Sequence, residues 1–206
     1  ATCSSSHAHL IPLVKPVFLK IVVDPQTPDV ILASTILLLA NLAMTVKEEL
    51  RECCVGEVLL DLVLDKRVER ARRSVAESVI IFLYGHRQCE EVDQLMRAGA
   101  LEGYCIPILE SALAGSEFRG MYPHLVYSAR LFQVLAQSRE YATLLVRHEQ
   151  VAPMLLRATR QRDKQVYLES DSEGRCLALQ ALLSFAGWGL WPGCEEISRF
   201  VCDELP

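Results

Sequence analysis

Cys53 and Cys54 stand side by side, and six more cysteines (Cys3, Cys89, Cys105, Cys176, Cys194 and Cys202) are scattered along 206 residues. Thiols at Cys-x-x-Cys spacing would suit a zinc or redox centre, but no two cysteines here are so spaced. Neighbours on a helix project roughly 100° apart, where zinc would want spaced ligands. A chain of this length that is 51% hydrophobic also supplies a core without a disulfide framework. The expectation is reduced cysteines buried for structural reasons. The histidines (His7, His9, His86, His124, His148) are as dispersed, and the His7-Ala8-His9 pair lies near the start, in what reads as a flexible end. For catalysis, no nucleophile stands beside a base, and the stretch from Gly85 to Gly103 holds no phosphate-cradling glycine motif. The adjacent carboxylates Glu90-Glu91 and Glu195-Glu196 read as solvated helix turns. No catalytic residue, metal ligand or cofactor is expected, and the chain reads as a non-enzyme.

The elements around these residues recur. Leu42-Ala43, Tyr84-Gly85, Leu135-Ala136 and Phe185-Ala186 each close an apolar helix, and the small residues are 42, 51 and 50 positions apart. This is the spacing of helical solenoid units, at or slightly beyond the usual ~40–47 residues. The first unit reads as helices Val30–Ala43, from Thr45 to Cys54, and Glu57–Leu64. Thr27 or Asp29 is placed to cap the first of them, and Thr45 the second. The second unit reads as Ser74–Gly85, Gln88–Ala98 and, after Gly99, Ala100–Leu113. The third reads as Met121–Ala136, Arg139–His148 and Val151–Thr159. A fourth has Arg175–Ala186 and a last helix near 194–202. Residues 1–8 form the flexible start and 9–23 a partial N-terminal repeat bent by Pro12 and Pro16. The stretches 114–122 and 161–174, rich in glycine or polar residues, read as exposed loops that lengthen the later spacings.

Charge and hydropathy exclude some functions. A net charge of −5 lacks the basic surface that displaces counterions from phosphates, so no nucleic acid partner is expected. The apolar run from Val30 to Ala43 is shorter than the ~20 residues that cross a bilayer, and it reads as a buried helix of a globular, soluble chain. The start has neither an initiator Met nor a cleavable apolar leader, which fits a trimmed fragment of a longer protein.

Leu39-Ala40-Asn41-Leu42-Ala43 and Met96-Arg97-Ala98-Gly99-Ala100-Leu101 together resemble the armadillo repeat, whose third helix closes on a Leu-x-Asn-Leu-like phrase before a small-Gly-Ala turn. The resemblance covers nearly the whole chain. It implies an all-α, right-handed superhelix of about four three-helix repeats, forming one domain over 1–206. It also implies a concave groove in which an asparagine ladder clamps an extended peptide. Aligned on the small-residue column, Asn41, Leu83, Val134 and Ser184 take the ladder position, and Leu37, Val79, Arg130 and Gln180 lie one turn earlier. With Asn41 alone keeping the asparagine, the expected groove has an apolar half (Leu37, Val79, Leu83, Val134) and a polar half (Arg130, Gln180, Ser184). Core burial is the competing reading for Leu37 and Val79, since one residue of misalignment rotates a side chain by ~100°.

The function expected from the resemblance is a cytoplasmic scaffold or adaptor that binds a partner peptide or amphipathic helix along that groove. Two alternatives are an adaptor core tied to a membrane through a segment outside this chain, and a nucleotide-exchange cofactor for an Hsp70-type chaperone. A secondary basic patch of Lys66, Arg67, Arg70 and Arg73 could dock an acidic segment or a lipid headgroup, although a solvated helix start is the simpler account. Trp188 and Trp191 in a glycine-rich connection would cap the end of the solenoid or anchor a partner, with capping favoured by their place beside the last helix.

Overall fold

The computed structural model describes residues 8–64, 70–118, 123–161 and 168–190, and all the regular elements among them are helical. The chain divides into two compact units, Ala1–Gly85 with Cys89–Ala100, and His86–Gln88 with Leu101–Pro206. Each is described by itself.

The first unit opens on a run of changing helical pitch: a 3₁₀ turn at Ala8–Leu10, α1 at Ile11–Leu13, a π turn at Val14–Phe18 and α2 at Leu19–Val23. Pro12 lies in the first turn of α1, where its missing N–H is no loss, and Pro16 falls in the π turn. Pro25 and Pro28 then break the run before α3 (Asp29–Thr45), α4 (Lys47–Glu52), α5 (Val55–Leu64), α6 (Arg70–Tyr84) and α7 (Glu90–Arg97). The expected caps do other work. Thr27 Oγ1 donates to Ile21 O at 2.8 Å, and Thr45 Oγ1 bonds back to Leu42 O at 3.3 Å within α3. Pro28 and Val46 sit at the two N-caps, neither with a side-chain cap.

α6 packs against α3, α4 and α5, while α2 lies on α3 and α5. From Ser78 to Tyr84 all residues of α6 are buried. A segment reading Ser-Val-Ile-Ile-Phe-Leu-Tyr has no polar face to give to water, so it forms the axis of this unit. Ile36, Leu39 and Leu42 of α3, Leu50 of α4 and Leu59 of α5 close around it, each fully buried.

The second unit contains a π turn at Leu101–Cys105, α8 (Ile106–Ala114), α9 (Leu125–Leu135), α10 (Arg139–Arg147), α11 (Val151–Arg160) and α12 (Leu168–Gly187). α12 packs on α9 and α11, and α8 packs on the same two helices. The expected loop 161–174 is corrected here, because α12 begins at Leu168 and includes its last seven residues. Gly174 supplies the physical reason. A Cβ there would sit 3.0 Å from both Leu125 Cγ and Val126 N, so only glycine lets α12 approach the start of α9 so closely. In the other expected loop, 115–117 are exposed and Phe118 turns its ring toward Tyr104 with centroids 6.2 Å apart. The helix expected near 194–202 lies outside the described residues.

Helix ends leave carbonyls without partners, and side chains from other helices meet several of them. In the first unit Arg51 of α4 donates to Leu83 O in the last turn of α6. In the second, Arg157 and Gln161 reach Leu113 O of α8 at 3.4 and 3.3 Å, and Arg175 of α12 reaches Thr159 O of α11 at 2.9 Å. Trp188 Nε1 donates to Ala136 O at the end of α9 at 3.0 Å. Cations at helix C-termini also oppose the negative end of the macrodipole.

Candidate functional site

α3 is apolar almost throughout, but its neighbours cover only part of it. Val30, Ser34, Leu37, Asn41 and Met44 follow one another at steps of four and three residues and share one exposed face. Val30 is 78% exposed, Leu37 53% and Met44 42%, with Ile31 beside them at 48%. The hydroxyls on this helix add little polarity, because Ser34 Oγ donates to Val30 O at 2.7 Å and Thr35 Oγ1 to Ile31 O at 2.8 Å. Asn41 is exposed in the middle of the stripe. The result is an apolar ridge with one carboxamide available to it.

The expected groove does not continue onto α6. Val79 and Leu83 are both 0% exposed, so as groove residues they are corrected to core. The cause is the position of α6 at the axis of its unit: the two residues that the repeat register equates with Leu37 and Asn41 face neighbouring helices. Leu37 and Asn41 are exposed, and Val79 takes the core alternative.

In the second unit α9 and α12 bring Arg130, Val134, Gln180 and Ser184 onto adjoining helices. Arg130 and Val134 are half-buried, Gln180 is exposed, and Ser184 Oγ donates to Gln180 O at 2.9 Å. The guanidinium of Arg130 is engaged by Glu173 Oε1 at 2.5 Å. Glu173 was invisible as a site residue in sequence because it stood in a stretch read as a loop. Only the helical start of α12 at Leu168 places it opposite α9. Leu183, 48% exposed on α12, was likewise not singled out.

Of the basic run, Lys66 and Arg67 lie outside the described residues, as does Trp191. The backbone of Arg70 opens α6, and Arg73 is half-buried one turn on. A half-buried Arg73 differs from a fully solvated helix start. Trp188, 42% exposed, is tied into its own unit through Ala136 O.

Arg51 pairs with Glu48 at 2.6 Å and lies over the Tyr84 ring, 5.3 Å from its centroid. Burial first, then Glu57, Glu91 and Cys89, push the Tyr84 hydroxyl up to about 12 against the opposing pull of Arg51. Tyr84 is therefore neutral across the physiological range. His148 Nε2 lies 3.0 Å from Glu102 Oε1. Among the described residues no three histidine, cysteine or acidic side chains converge as a metal site, and no helix is long and apolar enough to cross a membrane.

The expected burial of the cysteines is corrected. Cys105 is buried, Cys53 and Cys89 are half-buried, and Cys54 and Cys176 are exposed, and none of the five is in a disulfide. The helix that was to carry Cys53 and Cys54 inward ends at Glu52.

Comparison of the chain with protein-family models, with curated proteins and with solved structures returned no match.

Proposed function

We propose that this chain is a non-enzymatic protein-interaction scaffold built from armadillo-like helical repeats, and that the exposed face of α3 receives the apolar side of a partner helix or peptide. The observation that carries this reading is the ridge of Val30, Leu37 and Met44, which stands in water along the whole of a 17-residue helix. Contiguous exposed apolar surface of this kind marks an interaction site, and anchors at steps of three and four residues match those of a docked amphipathic helix. Asn41 would add one hydrogen bond to the partner's backbone.

The repeat reading draws support from helix order and packing inside each unit. The triplets α3–α4–α5, α6–α7–α8 and α9–α10–α11 each run long, short, intermediate or nearly so, as a recurring supersecondary unit does. Helices one triplet apart also pack together, α3 on α6 in the first unit, and α9 on α12 and α8 on α11 in the second. Chemistry on a substrate has no comparable support among the described residues.

The test is proximity labelling in cells with the full chain, comparing wild type with a Val30→Glu, Leu37→Glu double variant and with an Asp61→Lys control on the exposed side of α5. The expected result is loss of the specific labelled proteins by tenfold or more in the double variant alone, with helicity and melting temperature unchanged. Identical labelling by all three proteins overturns the α3 assignment.

A further inference from the structure

Cys53 and Cys54 end α4 rather than extend it. The Cys53 N–H bonds back to Glu49 O and Leu50 O at 3.2 and 3.1 Å, and the Cys54 N–H bonds to Arg51 O at 2.9 Å. Cys54 has φ 57°, and among the described residues it is the one non-glycine residue at positive φ. Just beyond a helix end this conformation normally selects glycine, since a side chain there costs on the order of 1 kcal/mol. A thiol kept where glycine would fit better asks for a chemical reason. Both thiols are free, Cys54 is exposed and Cys53 half-buried.

Three kinds of thiol chemistry compete at such a pair. A direct disulfide is disfavoured: with a trans peptide between them the Cα atoms are ~3.8 Å apart, against the usual ~4.4–6.8 Å of a cystine. Zinc is disfavoured because it wants four ligands and, among the described residues, no third ligating side chain converges here. A soft cation that accepts two thiolates meets neither objection, since the inserted metal lengthens the link between the sulfurs. The charge around the turn favours a cation as well. Glu49, Glu52 and Glu57 are exposed beside it in the chain, while Arg51 directs its guanidinium to Leu83 O, Glu48 and the Tyr84 ring, and Lys47 is at the far end of α4.

We propose that Cys53 and Cys54 form a two-thiolate binding site for a soft, two-coordinate monovalent cation of the copper(I) class. Binding forms two metal–sulfur bonds and releases the two thiol protons to solvent, with no change in oxidation state. The turn leaves Cys54 exposed and Cys53 half-buried, next to exposed carboxylates that raise the local cation concentration.

The test is an anaerobic copper(I) titration of the full chain against a chromogenic copper(I) chelator. One equivalent is retained by wild type, Cys53→Ser and Cys54→Ser each weaken retention at least 100-fold, and Cys176→Ser, which alters another exposed thiol, leaves it unchanged. X-ray absorption of the complex shows two sulfur neighbours. Cys54→Gly separates site loss from misfolding, because it places the favoured residue at φ 57° and so keeps or raises the melting temperature while abolishing binding. Retention by either single serine variant equal to wild type, or an equal loss in Cys176→Ser, means adventitious thiol binding only and overturns the proposal.

Discussion

Gly56 shows how a single atom is decided by its surroundings. It lies in the first turn of α5 and is buried, and a Cβ built there would collide with Tyr84 Cε2 and sit 2.8 Å from its hydroxyl oxygen. In a helix interior alanine is ordinarily better than glycine by about 1 kcal/mol. Displacing a ring wedged against α5 and under Arg51 costs about 1–3 kcal/mol. The second effect wins, so Gly56→Ala is expected to lower stability by denaturant melting, and adding Tyr84→Ala should remove most of that loss. Tyr84 also gives a pH signature. Its hydroxyl is raised from 10.0 to about 12, so between those values the folded state holds a proton that the unfolded state has released. The stability that Tyr84 contributes is present in full below pH ~10 and is lost as pH rises through ~12. Urea melts across that window should fall more steeply for wild type than for Tyr84→Phe. Coincident curves would show that the ring is open to water.

At the scale of the helix, what recurs is a donor from one helix closing the carbonyl end of another, as Arg51 does for α6 and Arg175 for α11. A hydrogen bond from a charged donor to a buried carbonyl is worth about 1.5–3 kcal/mol. Arg51→Met keeps the aliphatic stem and removes the donor, so a loss in that range is expected from thermal melts, larger than for Glu48→Gln, which disturbs only an exposed pair. The helices themselves were legible in the sequence because their apolar residues recur at helical spacing between proline and glycine breaks: α3, α5, α7 and α11 fall within a few residues of expectation. Two features were not. The start of α12 was hidden because its first turns are polar, and a solvated helix face has the same composition as a loop. Thr27 and Thr45 have the chemistry of N-caps, yet nearby carbonyls within their own segments compete for the same hydroxyls, a choice that composition does not decide.

For the whole molecule, the part of the site that sequence reasoning could reach was the α3 half. There, Leu37 and Asn41 follow from periodicity within one helix. The α6 half was out of reach. Its register predicts the same face, but exposure depends on how many helices pack around it, and α6 is surrounded where α3 is not. Helical register therefore sets which face a residue takes without setting its exposure, and two leucines expected on one groove, Leu83 at the ladder position and Leu37 one turn before it, should respond oppositely to charge. Leu83→Glu buries an unpaired carboxylate at a site with 0% exposure, a penalty of about 3–5 kcal/mol against the ~5–15 kcal/mol that holds a typical domain. It should appear as lost helicity or a melting temperature many degrees lower. Leu37→Glu, at 53% exposure, should leave circular dichroism and melting within error of wild type and act on partner capture alone. If Leu37→Glu unfolds the protein as Leu83→Glu does, α3 is covered in solution and the ridge belongs to the core. If Leu83→Glu melts like wild type, α6 is not the axis of its unit.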